Sequence, residues 1–63
     1  MIAYIKKNKE AIESLFNKLG FIEYGKYQTI NKAKSEADLE QRHRYDAIIV
    51  KDLQKGDYYV GVR

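Results

Sequence analysis

The stretch Asn8–Phe21, NKEAIESLFNKLGF, decides the fold because it predicts one amphipathic helix with a defined start and a defined end. Its apolar residues recur at helical spacing and form a single stripe of Ile12, Leu15, Phe16 and Leu19. Asn8 is a suitable N-cap, since its side-chain oxygen can accept from a free N–H of the first turn. Gly20 suits the left-handed position after the last turn, and Phe21 can pack back onto Phe16. We expect this helix to cover one face of a sheet.

Length and composition limit the class of protein. The chain has 63 residues, no cysteine and one histidine. A domain of this size buries only about 60% of the surface that its unfolded chain exposes. Neither a disulfide framework nor a thiolate zinc site is available. We therefore expect a single domain over residues 1–63, without a metal or a cofactor, that gains additional core by self-association.

Charge and hydropathy indicate the cellular location and the class of partner to expect. The longest apolar run, Ala47–Val50, is far shorter than the roughly 20 residues of a membrane-spanning helix. No signal peptide is apparent. We expect a soluble, cytoplasmic protein without a membrane partner. The net charge of +3 is a mild excess, so a local basic patch for nucleic acid stays open as an alternative.

Aromatic and β-branched residues mark the segments with strand character, which are Phe21–Ile30, Tyr45–Lys51 and Tyr58–Val62. The apolar segment Met1–Ile5 could be a short first strand or a lead-in to the helix, and we favour the strand. Gly25 within Phe21–Ile30 suggests a bulge or a close backbone approach, which would shift the alternation of side chains. Three apolar residues in a row, at positions 48–50, indicate a central strand that is covered on both faces. A turn over Lys55–Asp57 would join the last two strands.

The segment Asn31–Arg44 permits two interpretations. As a helix it would begin after Ser35 as N-cap, with Asp38 completing a capping sequence, and the composition favours this interpretation. As a strand it would align Leu39, Gln41, His43 and Tyr45 on one face. In either form the segment is polar and exposed.

These segments predict an α+β fold. We expect a small sheet of three or four strands, mainly antiparallel, covered on one face by the first helix and by a possible second helix near Ser35–Arg44. The predicted core consists of Ile2, Ile5, Ile12, Leu15, Phe16, Leu19, Phe21, Ile22, Ile48, Ile49, Val50 and Val60.

Two stretches carry a family resemblance. AIESLFNKLGFIEYGKY at 11–27, followed by YDAIIVKDL at 45–53, resembles the C-terminal arm of the GNAT superfamily of N-acetyltransferases. In that family an Asn-started helix with a YEKLGF-like end leads into a strand, and a late D-x-I-I-M-x-K-x-L strand follows. The resemblance spans about Ile2–Leu53 and implies a cut-down relative of the acetyltransferase fold that needs a partner chain.

Three departures from the family pattern argue against transferring its activity. The family binds the pyrophosphate of acetyl-coenzyme A through a glycine-rich loop, which Gly20, Gly25, Gly56 and Gly61 do not form. The position of the family's frequent proton-donating tyrosine is held by Phe16, which has no proton to donate. The asparagine is also one residue out of step at Asn8.

Other catalytic groups are sparse. Asp38, Glu40 and Asp46 lie near His43 in sequence, which is the minimum for general acid–base chemistry. A surface histidine between two arginines is far more often solvated, and no nucleophile stands in a recognisable turn. We expect a protein that is not an enzyme and has no catalytic residues.

The six tyrosines are the unusual feature of the composition. Exposed tyrosines offer rigid contact area at low entropic cost, for a protein interface or for stacking on bases. Our first hypothesis is a non-catalytic protein-interaction module, accessory or inhibitory and self-associating, whose candidate partner-binding residues are Tyr24, Tyr27, Tyr58, Tyr59, Arg42 and Arg44. The alternative is a nucleic-acid-binding protein that stacks bases on Tyr24, Tyr27 or Tyr59. Its phosphate contacts would be arginines and the residues Lys6, Lys7, Lys9, Lys26 and Arg63.

Overall fold

The structure, a computed structural model, describes residues 4–63. The elements in chain order are β1 (Tyr4–Lys6), α1 (Lys9–Leu19), β2 (Ile22–Tyr27), α2 (Ile30–Arg42), β3 (Ala47–Asp52) and β4 (Tyr58–Val62). The four strands form one mixed sheet in the order β1-β3-β4-β2. β1 runs parallel to β3, whereas the β3–β4 and β4–β2 pairs are antiparallel. The predicted α+β class and mainly antiparallel sheet are confirmed.

The first helix has the ends that its sequence predicts. The Asn8 side chain accepts a hydrogen bond from the backbone N–H of Ala11 at 3.0 Å. Gly20 adopts a left-handed φ of 78°, and the Phe21 N–H donates to the carbonyl of Phe16 at 2.8 Å. The rings of Phe16 and Phe21 lie 6.4 Å apart between centroids. Local capping therefore fixes the direction in which the chain enters β2.

The second helix is present but begins earlier than predicted. Its N-cap is Thr29, whose hydroxyl accepts from the Lys32 N–H at 3.2 Å, so the predicted cap at Ser35 is wrong. The helix ends at Arg42, and the interpretation of this segment as a strand is excluded. Apolar residues at Ile30, Ala33 and Ala37 form its inner stripe. Because two of these are alanines, the helix can approach the sheet closely.

The two helices cover opposite faces of the sheet. Ile12 and Phe16 of α1 pack with Val50 and Tyr59. Their strand neighbours Ile49 and Val60 pack instead with α2. Successive side chains of a strand point to opposite faces, so the sheet lies between two layers of helix. The predicted cover of both faces of β3 is confirmed, and the expectation that both helices share one face is wrong. We name the two sides the α1 face and the α2 face.

Burial confirms most of the predicted core, which includes the buried Ile12, Phe16, Phe21, Ile49, Val50 and Val60 and the half-buried Leu15, Leu19 and Ile48. Two predictions are wrong, since Ile5 is 56% exposed and Ile22 is 72% exposed. Both lie on edge strands, where a side chain has a neighbouring strand on one side only. Ile2 lies outside the described residues. Ala33, Ala37 and Tyr59 belong to the core and were missed.

Candidate functional site

The outer edge of β2 combines exposed apolar side chains with open backbone groups. Within residues 4–63, β4 is the strand that pairs with β2, and no strand pairs with its other side. Ile22 is 72% exposed on this strand and Tyr24 is 42% exposed. Edge strands of this kind are the usual sites at which another chain adds to a sheet. We name the outer side of residues 22–27 the β2 edge.

Hydrogen bonding within the sheet determines which backbone groups reach the β2 edge. Asp46 and Arg63 exchange both backbone hydrogen bonds, at 2.9 and 3.0 Å. Residues of an antiparallel strand bond alternately to its two neighbours, so Tyr58, Val60 and Val62 bond toward β2. Their register partners are Tyr27, Gly25 and Ile22, whose backbone groups therefore point inward.

A bulge makes the remaining backbone groups of β2 unusual. The register shifts between Glu23 and Gly25, which leaves Tyr24 as the additional residue and confirms the bulge predicted at Gly25. Glu23 lies opposite Gly61, and Lys26 lies opposite Tyr59. The backbone groups of Glu23 and Lys26 consequently both point outward, although these residues are three positions apart. In a regular strand the outward groups recur every two residues.

The bulge also places the side chains of Glu23 and Lys26 on one face. Lys26 shares the α1 face with its register partner Tyr59, and its ammonium lies 4.0 Å from the carboxylate of Asp57. Glu23 shares that face with Gly61, which lies against the ring of Phe16. One acidic and one basic side chain therefore flank the bulge on the α1 face.

Two tyrosines and two glutamates line the α2 face of the β2 edge. The carboxylate of Glu40 is the main cause that raises the pKa of Tyr24 above its ordinary value of 10.0. Burial, followed by the Glu36 carboxylate, raises the pKa of Tyr27. His43 lies 3.9 Å from the same Glu40 carboxylate. At neutral pH a phenol is protonated in any case, so both hydroxyls can donate to a glutamate or to a bound molecule, and the carboxylates extend that form to higher pH.

The structure brings together only part of the predicted partner-binding set. Tyr24 and Tyr27 share the β2 edge. Tyr58 is half-buried on the α2 face, with the Lys51 ammonium 5.6 Å from its ring centroid. Tyr59 is 2% exposed, so its assignment to a binding surface is wrong. It is buried because α1 covers the face to which it points.

The two predicted arginines are exposed near the end of α2. Arg42 is the last residue of this helix, and Arg44 follows it with a left-handed φ of 70°. Neither arginine is on β2 or on the face of α2 that carries Glu36 and Glu40. Their predicted role in partner binding stays a prediction.

The predicted phosphate contacts do not form one surface. Lys7 and Lys9 are exposed at the start of α1, where Lys6 is half-buried at the end of β1. Lys26 lies near Asp57 on the β2 edge. Arg63 donates to the Leu19 carbonyl at 2.7 Å and to Asp46 at 3.2 Å, so its guanidinium already has partners within the chain. Base stacking on Tyr59 is excluded by its burial.

Residues that sequence reasoning missed complete the edge. Glu23, Glu36 and Glu40 were not predicted as site residues, and Ile22 was assigned to the core. The available signal was Gly25, because a bulge reverses the alternation by which exposed and buried positions are assigned. The proximity of Glu36 and Glu40 to the tyrosines depends on how α2 packs, and the sequence contains no sign of it.

Metal clusters and membrane spans are both absent from the part of the chain that the structure describes. Residues 4–63 contain no group of three potential metal ligands. Over the same residues, no helix has the length and apolar character needed to cross a bilayer. Comparison of the chain with protein-family models, with curated proteins and with solved structures found no match. The resemblance to the acetyltransferase arm therefore stays a prediction.

Proposed function

We propose that this chain is a small, non-catalytic protein-interaction module that binds its partner through the β2 edge. The observation that carries this proposal is the exposure of Ile22 and Tyr24 on a strand whose outer side is open among the described residues. Burying apolar side chains of this size contributes about 1.5–3 kcal/mol each. Backbone pairing along the edge would add directional hydrogen bonds.

The α2 face supports the same proposal. Tyr24 and Tyr27 stand beside the carboxylates of Glu36 and Glu40, which can accept hydrogen bonds from the two phenols. Rigid aromatic side chains with a polar tip are enriched in the buried centres of protein interfaces. The nucleic-acid alternative is supported less well, because its predicted lysines and arginine are dispersed and Arg63 is bonded within the chain.

The test is affinity capture with the immobilised chain from its native source, with and without nuclease and at low and high salt. We expect a protein that stays bound after nuclease treatment and that an Ile22→Ser, Tyr24→Ser variant no longer retains. Leu53→Ser is the matched control, since Leu53 is 62% exposed in the loop after β3.

Three outcomes would overturn the proposal. The first is that no protein is retained. The second is that the edge variant retains the same protein as the parent chain. The third is that the bound material is nucleic acid that is released by salt, which would favour the alternative function.

A further inference from the structure

We propose that the partner of the β2 edge is a second copy of this chain, paired antiparallel so that Glu23 of each copy lies opposite Lys26 of the other. This inference rests on the proposed function and names the partner. It follows from the bulge, from the direction of the backbone groups and from the charges on the strand.

The backbone geometry is self-complementary. The outward groups of β2 belong to Glu23 and Lys26 and are three residues apart because of the bulge. In a two-fold dimer, if residue i lies opposite residue j, then j also lies opposite i. With Glu23 opposite Lys26 of the second copy, the outward N–H and C=O of each Glu23 face the outward N–H and C=O of the other copy's Lys26. Each pair can exchange two backbone hydrogen bonds.

The bulge selects a second copy over an ordinary strand. A regular strand presents its outward groups every two residues, so it could pair with Glu23 or with Lys26 but not with both. A bulge ordinarily protects an edge for this reason. A second copy carries the same bulge at the matching position, and the two registers therefore agree on both sides of it.

The side chains agree with this register. Glu23 and Lys26 point to the same α1 face, so each glutamate meets a lysine of the other copy directly across the interface. Opposite charges at directly opposed positions stabilise a strand pair, and like charges destabilise it. The Lys26 side chain is 54% exposed and lies 4.0 Å from Asp57, a contact weak enough to be shared with or exchanged for the new carboxylate.

The opposite face of the same register covers the exposed apolar side chains. Ile22 would lie opposite Tyr27 of the second copy, and Tyr24 would lie opposite its Gly25. The Tyr27 ring already fills the space over Gly25 of its own chain, with Cζ 2.8 Å from the position of a Cβ at residue 25, so Tyr24 of the second copy would pack against that ring. The dimer would therefore bury the two residues that most expose the edge, Ile22 and Tyr24.

The test is sedimentation equilibrium of the purified chain over a wide concentration range, with charge-reversed variants. Glu23→Lys and Lys26→Glu each place like charges across the dimer, and we expect each to weaken self-association by roughly tenfold or more. An equimolar mixture of the two variants restores the opposite charges and should associate as the parent chain does. The double variant with both changes should also associate. Asp38→Lys and Lys7→Glu are the matched controls, with the same changes of net charge at exposed positions away from the edge.

Amide hydrogen exchange provides a second measurement at residue level. The amides of Glu23 and Lys26 point outward, so we expect them to exchange quickly in the dilute monomer and slowly in the dimer. The inward amide of Tyr27 should be protected in both. Circular dichroism of every variant establishes that it is folded before its association is compared.

These measurements separate failure of the dimer from failure of the proposed function. The proposed dimer is overturned if the chain stays monomeric at the highest concentration. It is also overturned if the chain dimerises with an affinity that does not change when the charges at positions 23 and 26 are reversed. If the monomeric chain still captures a protein through Ile22 and Tyr24, the proposed function stands and only the identity of the partner is wrong. If neither dimer nor edge-dependent capture is found, both proposals fail.

Discussion

The guanidinium of Arg63 donates a hydrogen bond from Nη1 to the backbone carbonyl of Leu19, with 2.7 Å between the two atoms. Leu19 is the last residue of α1, where carbonyl groups have no partner within the helix. The same guanidinium lies 4.5 Å from the ring centroid of Phe21 and bonds to Asp46. The final residue of the sequence thus ties the end of α1 to the β3–β4 end of the sheet.

We expect Arg63→Ala to lower the free energy of unfolding by about 1–2 kcal/mol, through the lost hydrogen bond and the lost cation–π contact. Urea denaturation measures this change. The control is Arg42→Ala, which removes an exposed arginine and should change stability by less than about 0.5 kcal/mol. Equal losses from both substitutions would show that the Arg63 contacts contribute nothing specific.

Gly61 allows the Phe16 ring to lie directly on the sheet. A Cβ at this position would stand 2.7 Å from Cε1 of Phe16, which is too close for both to stay in place. We expect Gly61→Ala to lower the free energy of unfolding by about 1–3 kcal/mol, since overpacking forces a buried ring to move. A double-mutant cycle with Phe16→Leu provides the check. The glycine substitution should cost less when the ring is absent, and strictly additive losses would contradict this explanation.

Tyr59 should make the chain sensitive to alkaline pH. Burial, followed by the carboxylate of Asp52, raises the pKa of this phenol above its ordinary value of 10.0. The unfolded chain therefore releases the proton at a lower pH than the folded chain. The resulting stabilisation is fully present below pH 10 and is lost as the pH rises through the higher folded pKa.

Thermal unfolding measured from neutral pH to above pH 10 tests this expectation. Tyr59→Phe should remove part of the alkaline loss of stability, and the remainder should include a contribution from Tyr27, whose pKa is also raised. Tyr45→Phe is the matched control for the loss of a phenol hydroxyl, since Tyr45 is 51% exposed. The expectation fails if both variants give the same alkaline profile as the parent chain.

Arg44 occupies a backbone conformation that disfavours its side chain. Its φ is 70°, in the left-handed region, and its N–H bonds to the Gln41 carbonyl at 3.0 Å. We expect Arg44→Gly to raise the free energy of unfolding by up to about 1 kcal/mol, because glycine adopts this conformation without strain. Arg42→Gly is the opposite control, since glycine within a helix costs about 1 kcal/mol. A loss of stability from Arg44→Gly would contradict the strain.

Asp52 organises the loop between β3 and β4 from a fully buried position. Its Oδ1 accepts from the backbone N–H groups of Gln54 at 2.9 Å and of Lys55 at 3.3 Å. We expect Asp52→Ala to cost about 1–3 kcal/mol, because two backbone N–H groups of the loop lose a charged acceptor. Asp52→Asn keeps an oxygen at the Oδ1 position and should retain most of the stability. Similar losses of stability from both variants would show that the hydrogen bonds to Oδ1 do not account for the effect of Asp52.

The elements that the sequence predicted correctly are those specified by neighbouring residues. Asn8 and Gly20 terminate α1 through contacts within one helical turn. Gly25 marked the bulge because it interrupts a run of β-branched and aromatic residues. Three consecutive apolar residues at 48–50 revealed a strand with two covered faces. Each of these signals acts over a few residues, and the physical chemistry of caps, turns and alternation is therefore visible in the sequence.

The start of α2 shows where local signals fail. Ser35 and Asp38 form an acceptable capping sequence, yet the helix begins at Ile30 after Thr29. The longer helix is favoured because it adds Ile30 and Ala33 to the stripe that packs on β3 and β4. Tertiary burial of that stripe outweighs the local preference for a later cap.

By itself the sequence determined the α+β class, the ends of α1, the bulge and the central position of β3. Only the tertiary structure decided that the helices lie on opposite faces and that Tyr59 is buried and Ile22 exposed. It also decided that the backbone groups of both Glu23 and Lys26 point toward the open edge of the sheet. The physical reason is that strand order and register are set by pairings between residues distant in sequence. Those pairings determine which face and which edge each side chain reaches.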